Sequence, residues 1–289
     1  MKVQANGIHI EVEDTGADGS QAGRPVVLLD CGFDLTDPKA GQRAYAAGHL
    51  PGAHYADLDQ ALAGPKDGSN GRHPLPTREA LSQQAGRWGV APGVQVVAYD
   101  DHGMPYAARA WWLLRWLGHR AVAVLDGGRG AWLAAGGTLS TSEPAIGAGP
   151  AYPASAAPGM PDITARELFA RLSSVQDGSL KLLDARAAER FRGEVEPLDP
   201  VAGHIPGATL RFFKDNLAAD GRFKPVDQLR RDFEALGARG ANSIQQCGSG
   251  VTACHNLLAM AHAGLGVSSL FAGSWSEWCS DTSRPVARG

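Results

Sequence analysis

The sequence predicts an α/β fold built twice: tandem domains, each a mainly parallel β-sheet flanked by helices. Three observations carry this. Short apolar runs alternate with helical stretches, the pattern of strand–helix–strand units around a parallel sheet. The two halves repeat one another in order and spacing. Between them, Thr138 to Asp162 is dense in proline, glycine, alanine and serine. A chain of 289 residues is also long enough for two domains. The boundaries fall at 1–140 and 163–289, with a linker over 141–162.

In the first half, Val26–Asp30 reads as a buried strand and Val94–Tyr99 as another. Tyr106–Leu117 reads as a helix, with Trp112, Leu113, Trp116 and Leu117 on a broad apolar face, and Ala121–Leu125 as the next strand. The second half repeats this. Leu180–Asp184 answers Val26–Asp30, Ser243–Gln246 is a strand entering a loop, Ala253–Ala263 a helix and Ser268–Phe271 a strand. Gly48-His49-Leu50-Pro51-Gly52-Ala53 matches Gly203-His204-Ile205-Pro206-Gly207-Ala208. Ala107, Gly118, Gly127 and Trp132 fall opposite Ala253, Gly264, Gly273 and Trp278 at one constant offset. Between the halves, Pro144, Pro150, Pro153, Pro158 and Pro161 forbid a helix or a central strand. Trp111, Trp112, Trp116 and Trp132 read as core and domain packing. His49 and His204 sit in the Pro-Gly turns and read as structural.

Ala5–Gly16 reads as a strand pair and is similar to the opening of an α/β-hydrolase. A hydrolase needs a G-x-S-x-G turn to expose its serine. Around Ser249 the glycine spacing is wrong and no other such turn exists, so a solvent-facing structural hairpin is expected.

Composition narrows the function. The chain is 44% hydrophobic and 20% charged, with a formal net charge of −3. That excludes a broadly basic nucleic-acid binder. No apolar run reaches the length of a membrane span. Met1 to Asp14 lacks the basic start and apolar stretch of a signal peptide, so the cytoplasm is the expected address. Four cysteines make no disulfide framework in a chain this long. Cys31, Cys254 and Cys279 read as buried. No grouping has zinc-ligand spacing, no P-loop is present, and no G-x-G-x-x-G joins a strand to a helix. Neither a metal nor an organic cofactor is expected.

The segment richest in chemistry is Ile244-Gln245-Gln246-Cys247-Gly248-Ser249-Gly250-Val251-Thr252-Ala253-Cys254-His255. A strand ends, a cysteine opens a glycine-rich turn, and a helix begins at about Ala253. Glycines let successive N–H groups turn inward as an anion nest. The helix N-terminus adds free N–H groups and a positive dipole end. A cysteine there is a ready nucleophile, and Ser249 and Thr252 offer hydroxyls to the same concavity. Cysteine phosphatases need an arginine six residues after the cysteine. Ala253 stands there, which disfavours that chemistry. Sulfur transfer through a persulfide needs no such clamp.

Cys247-Gly248-Ser249-Gly250-Val251-Thr252 resembles the active loop of 3-mercaptopyruvate sulfurtransferases, within the two-domain rhodanese family. The repeated Gly-His-x-Pro-Gly-Ala segments and Gly273-Ser274-Trp275-Ser276-Glu277-Trp278 fit the same family, and the resemblance runs from about Val26 to Trp278. It implies a sulfurtransferase that moves sulfur from 3-mercaptopyruvate to a thiol or cyanide through a Cys247 persulfide. Gly248, Gly250, Val251 and Thr252 would shape the sulfur site. The acceptor would be a small thiol or a thioredoxin-like protein. Thiosulfate as donor is the alternative, as is a non-catalytic persulfide carrier or sensor. The resemblance also implies that Arg190 holds the donor carboxylate, with Glu196 orienting it or tuning the site's protonation. The family's second arginine follows a Glu-Pro pair; here Leu198 follows Glu196-Pro197, and Arg186 or Arg192 would have to substitute. Arg72-His73-Pro74-Leu75-Pro76 is similar to a family segment whose histidine, oriented by an acid matching Asp59, acts through Ser249. The N-terminal copy in this family lacks the cysteine. The constant offset places Asp101 opposite Cys247, so the first half is expected to be non-catalytic and to form one wall of the cleft.

Overall fold

Two four-stranded sheets, parallel throughout, organise the chain. The computed structural model describes residues 2–5, 8–11, 26–144 and 149–289. The first sheet holds β3 (Val26–Asp30), β4 (Ala53–Tyr55), β5 (Gln95–Tyr99) and β6 (Val122–Val124), after the hairpin of β1 (Lys2–Ala5) and β2 (Ile8–Glu11). The second holds β7 (Lys181–Asp184), β8 (Thr209–Leu210), β9 (Ser243–Gln246) and β10 (Ser269–Leu270). The strand orders are β4-β3-β5-β6 and β8-β7-β9-β10. Numbered within its own half, each sheet runs second, first, third, fourth. The duplication seen in the sequence is therefore a duplication of topology. In such a sheet the order reverses between the first and third strands, and ligands gather beyond the carboxyl ends there.

The chain divides into two compact units. The first comprises the chain as far as Leu62 together with Pro76–Gly159; the second comprises Ala63–Leu75 and Met160–Gly289. The short segment Ala63–Leu75 thus leaves the half of the sequence in which it lies.

Strands buried on both faces need apolar residues at consecutive positions. Val96, Val97, Ala98 and Tyr99 of β5 are all buried, as are Leu182, Leu183 and Asp184 of β7. In the first unit Leu50, Ala53, Val97, Tyr99, Ala123, Leu125 and Trp132 form one core cluster. In the second, Leu168, Leu182, Ile205, Ile244, Phe271, Trp275 and Trp278 do the same. The helix Pro105–Leu117 carries proline at its start and ends at Gly118 in the left-handed region. Trp111, Trp112, Trp116 and Trp132 are all buried.

The repeated Gly-His-x-Pro-Gly-Ala segment is a turn with a fixed job. Ala53 donates its N–H to Leu50 at 2.9 Å, and Ala208 to Ile205 at 3.0 Å. Proline occupies the second turn position, and Gly52 and Gly207 follow at φ +77° and +83°, a type II turn that requires glycine there. His49 stacks on Tyr45 at 3.9 Å, and His204 on Phe191 at 3.9 Å. Each ring Nδ1 lies 2.8 Å from that partner's carbonyl oxygen. Both histidines are buried fasteners.

One expectation shifts in its bounds. The N-terminal strand pair begins at Lys2 and runs to Glu11, while residues 12–16 lie outside the described residues. Among its described residues the proline-rich run makes no helix and only single bridges at Ser140 and Asp162. It is tied to the first unit through Tyr152 to Ser82, Ser155 to Leu117 and Gly159 to Trp116. Among the described residues no helix is long and apolar enough to cross a membrane.

Candidate active site

β7 and β9 are the first and third strands of the second unit, paired so that Asp184 faces Gln246. Cys247 therefore leaves the sheet at its order reversal. The helix that follows is Thr252–His262, one residue earlier than expected. Between them the chain wraps around the cysteine sulfur. Gly250 donates its N–H to Cys247 Sγ at 3.1 Å, and Ser249 at 3.4 Å. Gly250 adopts φ +76°, and a Cβ there would meet the Ala272 carbonyl oxygen at 2.3 Å. Only glycine fits on both counts. Cys247 is almost fully buried.

The segment Gly273-Ser274-Trp275-Ser276 holds this loop from behind. Ser274 Oγ accepts the Cys247 N–H at 3.0 Å and donates to Phe271 at 2.8 Å. Trp275 and Ser276 donate their N–H groups to the Cys247 and Gly248 carbonyls, each at 3.0 Å. The free N–H groups of a helix start thus find their acceptors in the loop.

His73 arrives on the segment Ala63–Leu75, which belongs to the second unit. Its Nδ1 lies 2.8 Å from Ser249 Oγ, and both side chains are buried. Asp59 lies in the first unit, where its N–H donates to Asp57 Oδ1 at 2.8 Å. Val251 is buried and Thr252 partly exposed at the helix start.

Cations gather beside Gly248. Glu196 grips Arg190 at two points, Nε to Oε2 at 3.2 Å and Nη2 to Oε1 at 2.6 Å. The Glu196 carboxylate also accepts the N–H groups of Leu198 and Asp199, at 3.1 and 3.2 Å, and so shapes the turn around them. Arg190 lies against Gly248: a Cβ there would meet its Nη1 at 3.4 Å. Neither substitute expected for the missing arginine is available. Arg186 is buried and clasped at two points by Asp184, with Gly203's carbonyl at 2.8 Å and the Trp275 ring under its guanidinium at 4.8 Å. Burial opposes its charge, but Asp184 and Glu196 outweigh that and raise its pKa. Arg192 faces solvent and pairs with Glu194 at 2.7 Å. Leu198 is 39% exposed.

Three comparisons decide the family. A rhodanese-like domain model matches residues 17–135. The chain is 51% identical to the "Probable 3-mercaptopyruvate sulfurtransferase" of Pseudomonas aeruginosa, covering 91% of this chain and 93% of that one. It is 42% identical to the "Putative thiosulfate sulfurtransferase SseB" of Mycobacterium tuberculosis, covering 93% of each. The solved structure of 3-mercaptopyruvate sulfurtransferase from Leishmania major superposes with a TM-score of 0.78 at 31% identity, over 90% of this chain and 72% of that one.

This chain belongs to the rhodanese family.

Within that family the loop of the first unit is instructive. The strand registers set Asp30 opposite Tyr99 and Asp184 opposite Gln246, so Asp100, not the expected Asp101, stands where Cys247 does; Asp101 pairs with Arg129 at 2.5 Å. Asp100 turns its buried carboxylate into the loop. It accepts the N–H groups of His102, Met104, Tyr106 and Ala107 at 2.8–3.0 Å. Gly103, at φ +81°, answers Gly250 at φ +76°. The nest survives in the first unit of this rhodanese, filled by the protein's own carboxylate. In the second unit Cys247 stands at the Asp100 position, and the N–H groups of Ser249 and Gly250 go to its sulfur instead.

The other thiols are occupied or suppressed. Burial pushes Cys279 up to about 11 and Cys31 well above the usual thiol range. Cys254 donates to the Gly250 carbonyl at 3.2 Å. None of the four cysteines is in a disulfide among the described residues. Among the described residues no cluster of histidine, cysteine and carboxylates could hold a metal.

Sequence reasoning missed Arg72 and Asp199. Arg72 Nη1 forms an ion pair with Asp199 Oδ1 across 127 positions of chain, a separation no local pattern reveals. Arg72 nevertheless stands within the quoted segment Arg72–Pro76, and Asp199 directly follows Leu198.

Proposed function

We propose that this rhodanese-family chain is a sulfurtransferase that takes sulfur from 3-mercaptopyruvate through a persulfide on Cys247. The observation that carries this reading is the Cys247 sulfur held at the focus of the Ser249 and Gly250 N–H groups, with the Arg190 guanidinium alongside. N–H groups fixed around a sulfur favour negative charge on it and on a sulfur bonded beyond it. A cation one residue away suits a donor that carries a carboxylate.

The Cys247 thiolate attacks the donor's sulfur. The S–Cys bond forms as the donor's carbon–sulfur bond breaks, and the carbon keeps that electron pair as the pyruvate enolate. The thiol proton of the donor passes to the enolate, giving pyruvate and an enzyme persulfide. A thiol or cyanide then attacks the outer sulfur and returns the thiolate. Atoms and electrons balance without any external oxidant. Gly248, Gly250, Val251 and Thr252 form the loop around the transferred sulfur. His73 handles the proton through Ser249. Glu196 orients Arg190. The first unit is read as non-catalytic, its nest already filled by Asp100. Four cysteines held as thiols accord with a reducing compartment such as the cytoplasm, where a small thiol or a thioredoxin-like protein is the acceptor.

The relative named as a thiosulfate sulfurtransferase keeps thiosulfate as the second reading. Steady-state transfer to cyanide, with the two donors compared on one preparation, separates them. The expected result is a kcat/KM for mercaptopyruvate at least roughly 100-fold above that for thiosulfate. A preference for thiosulfate overturns the donor assignment. In the same assay His73→Asn is expected to lower kcat for mercaptopyruvate roughly 100-fold, and an unchanged kcat removes the relay.

A further inference from the structure

His73 is carried on a loop, and a loop holds a side chain less precisely than a strand or a helix does. Gly64 donates its N–H to the Pro74 carbonyl at 2.9 Å and closes that loop at its base. Immediately before His73 the loop is fastened to the helix Ser274–Trp278. Arg72 donates its N–H to Ser276 Oγ at 3.0 Å, across 204 positions of chain. The Ser276 hydroxyl donates in turn to the Gly273 carbonyl at 3.1 Å, which leaves its lone pairs for Arg72. The Ser276 backbone serves the cysteine loop: its N–H donates to the Gly248 carbonyl at 3.0 Å. One buried serine thus grips Arg72 and Gly248, and the residues that follow them, His73 and Ser249, make the 2.8 Å contact between Nδ1 and Oγ. Gly71, at φ +87°, permits the approach: a Cβ there would meet Ser276 Oγ at 3.1 Å and the Gly273 carbonyl oxygen at 2.8 Å.

We propose that Ser276 is a positioning residue for the proton relay: by holding the residue before each partner, it sets the His73 ring against the Ser249 hydroxyl. This rests on the relay reading of His73 given above. A proton passes between two side chains only across hydrogen-bonding distance, about 2.6–3.2 Å, and a misplacement of about 1 Å can cost ~100-fold in rate. The hydroxyl and the backbone N–H of Ser276 divide the work. Replacing the side chain with that of alanine leaves the N–H on Gly248, and with it the support of the cysteine loop. The Gly273 carbonyl keeps the Glu277 N–H at 3.0 Å. The Arg72 N–H is the group that loses its acceptor, and a backbone donor left unpaired turns toward water. His73, the next residue, moves with it.

The test is a double-mutant cycle in the full chain between Ser276→Ala and His73→Asn, read in kcat for mercaptopyruvate. Alone, Ser276→Ala is expected to lower kcat about tenfold. KM stays within about threefold, because Arg72 keeps its ion pair with Asp199. In the His73→Asn background the same substitution is expected to lower kcat no further. An unchanged kcat in the single variant overturns the proposal. So does an equal fall in both backgrounds, because Ser276 then supports the cysteine loop and not the relay. The pH titration of the His73 ring, followed by NMR without donor, is a readout apart from turnover. Ser276→Ala is expected to move it to the position found in Ser249→Ala, where the hydroxyl is gone. A titration that stays at the wild-type position overturns the proposal. If His73→Asn leaves kcat unchanged, the relay reading falls on that measurement, and the ring titration still decides whether Ser276 sets the contact.

Discussion

Cys247→Ser abolishes sulfur transfer with either donor, a loss of at least roughly 10⁴-fold, because the hydroxyl is un-ionised near neutral pH and a far weaker nucleophile. Nothing else in the loop can replace it. Ser249 is engaged with His73, Cys254 points its thiol at the Gly250 carbonyl, and Cys31 and Cys279 are buried with raised pKa values. The variant should fold normally, since serine is smaller than cysteine and the Ser249 and Gly250 N–H groups can donate to its oxygen. Rate assays with cyanide, together with an unchanged urea midpoint, check both halves of this expectation. Appreciable residual transfer would remove Cys247 from the centre of the chemistry.

Arg186→Leu has the largest expected effect on stability. The substitution leaves Asp184 and Glu196 as buried carboxylates without their shared cation, with side-chain exposures of 0% and 3%. Breaking one partner out of a buried pair costs about 3–5 kcal/mol. The lost contact between the guanidinium and the Trp275 ring adds to this. Trp275 supports the Cys247 carbonyl, so activity falls with the fold. Chemical denaturation monitored by tryptophan fluorescence gives the measure. Arg192→Ala, which loses only a solvent-exposed pair with Glu194, should leave the midpoint where it is. Equal behaviour of the two variants would mean that the Asp184–Arg186–Glu196 cluster contributes no more than a surface pair.

Much of this architecture was legible because it is local. Buried parallel strands announce themselves as short apolar runs, and Val26–Asp30 and Ser243–Gln246 fall where those runs predict. The Pro-Gly turns repeat because a type II turn tolerates little else at Gly52 and Gly207. The Cys247 loop could be read as an anion nest because glycine spacing and a following helix are sequence-adjacent features. What escaped depends on contacts between distant segments. Ala63–Leu75 belongs to the second unit although it lies in the first half of the sequence, and no periodicity records that. Arg72 and Asp199 meet for this reason alone. Arg186 was weighed as a substrate arginine because it adjoins Arg190 in sequence. Its burial against Asp184 follows from the strand end at β7, which turns the side chain toward Gly203 and Trp275. Asp100 escapes because the constant sequence offset sets Asp101 opposite Cys247, whereas the strand registers set Asp100 there.

The most direct test of the central claim is the intact mass of the protein after brief exposure to 3-mercaptopyruvate without acceptor. The account predicts a gain of one sulfur atom per chain, mapped to Cys247 by peptide analysis and released as one equivalent of thiocyanate on adding cyanide. No gain of sulfur, or a gain mapped to Cys31, Cys254 or Cys279 instead, would contradict it.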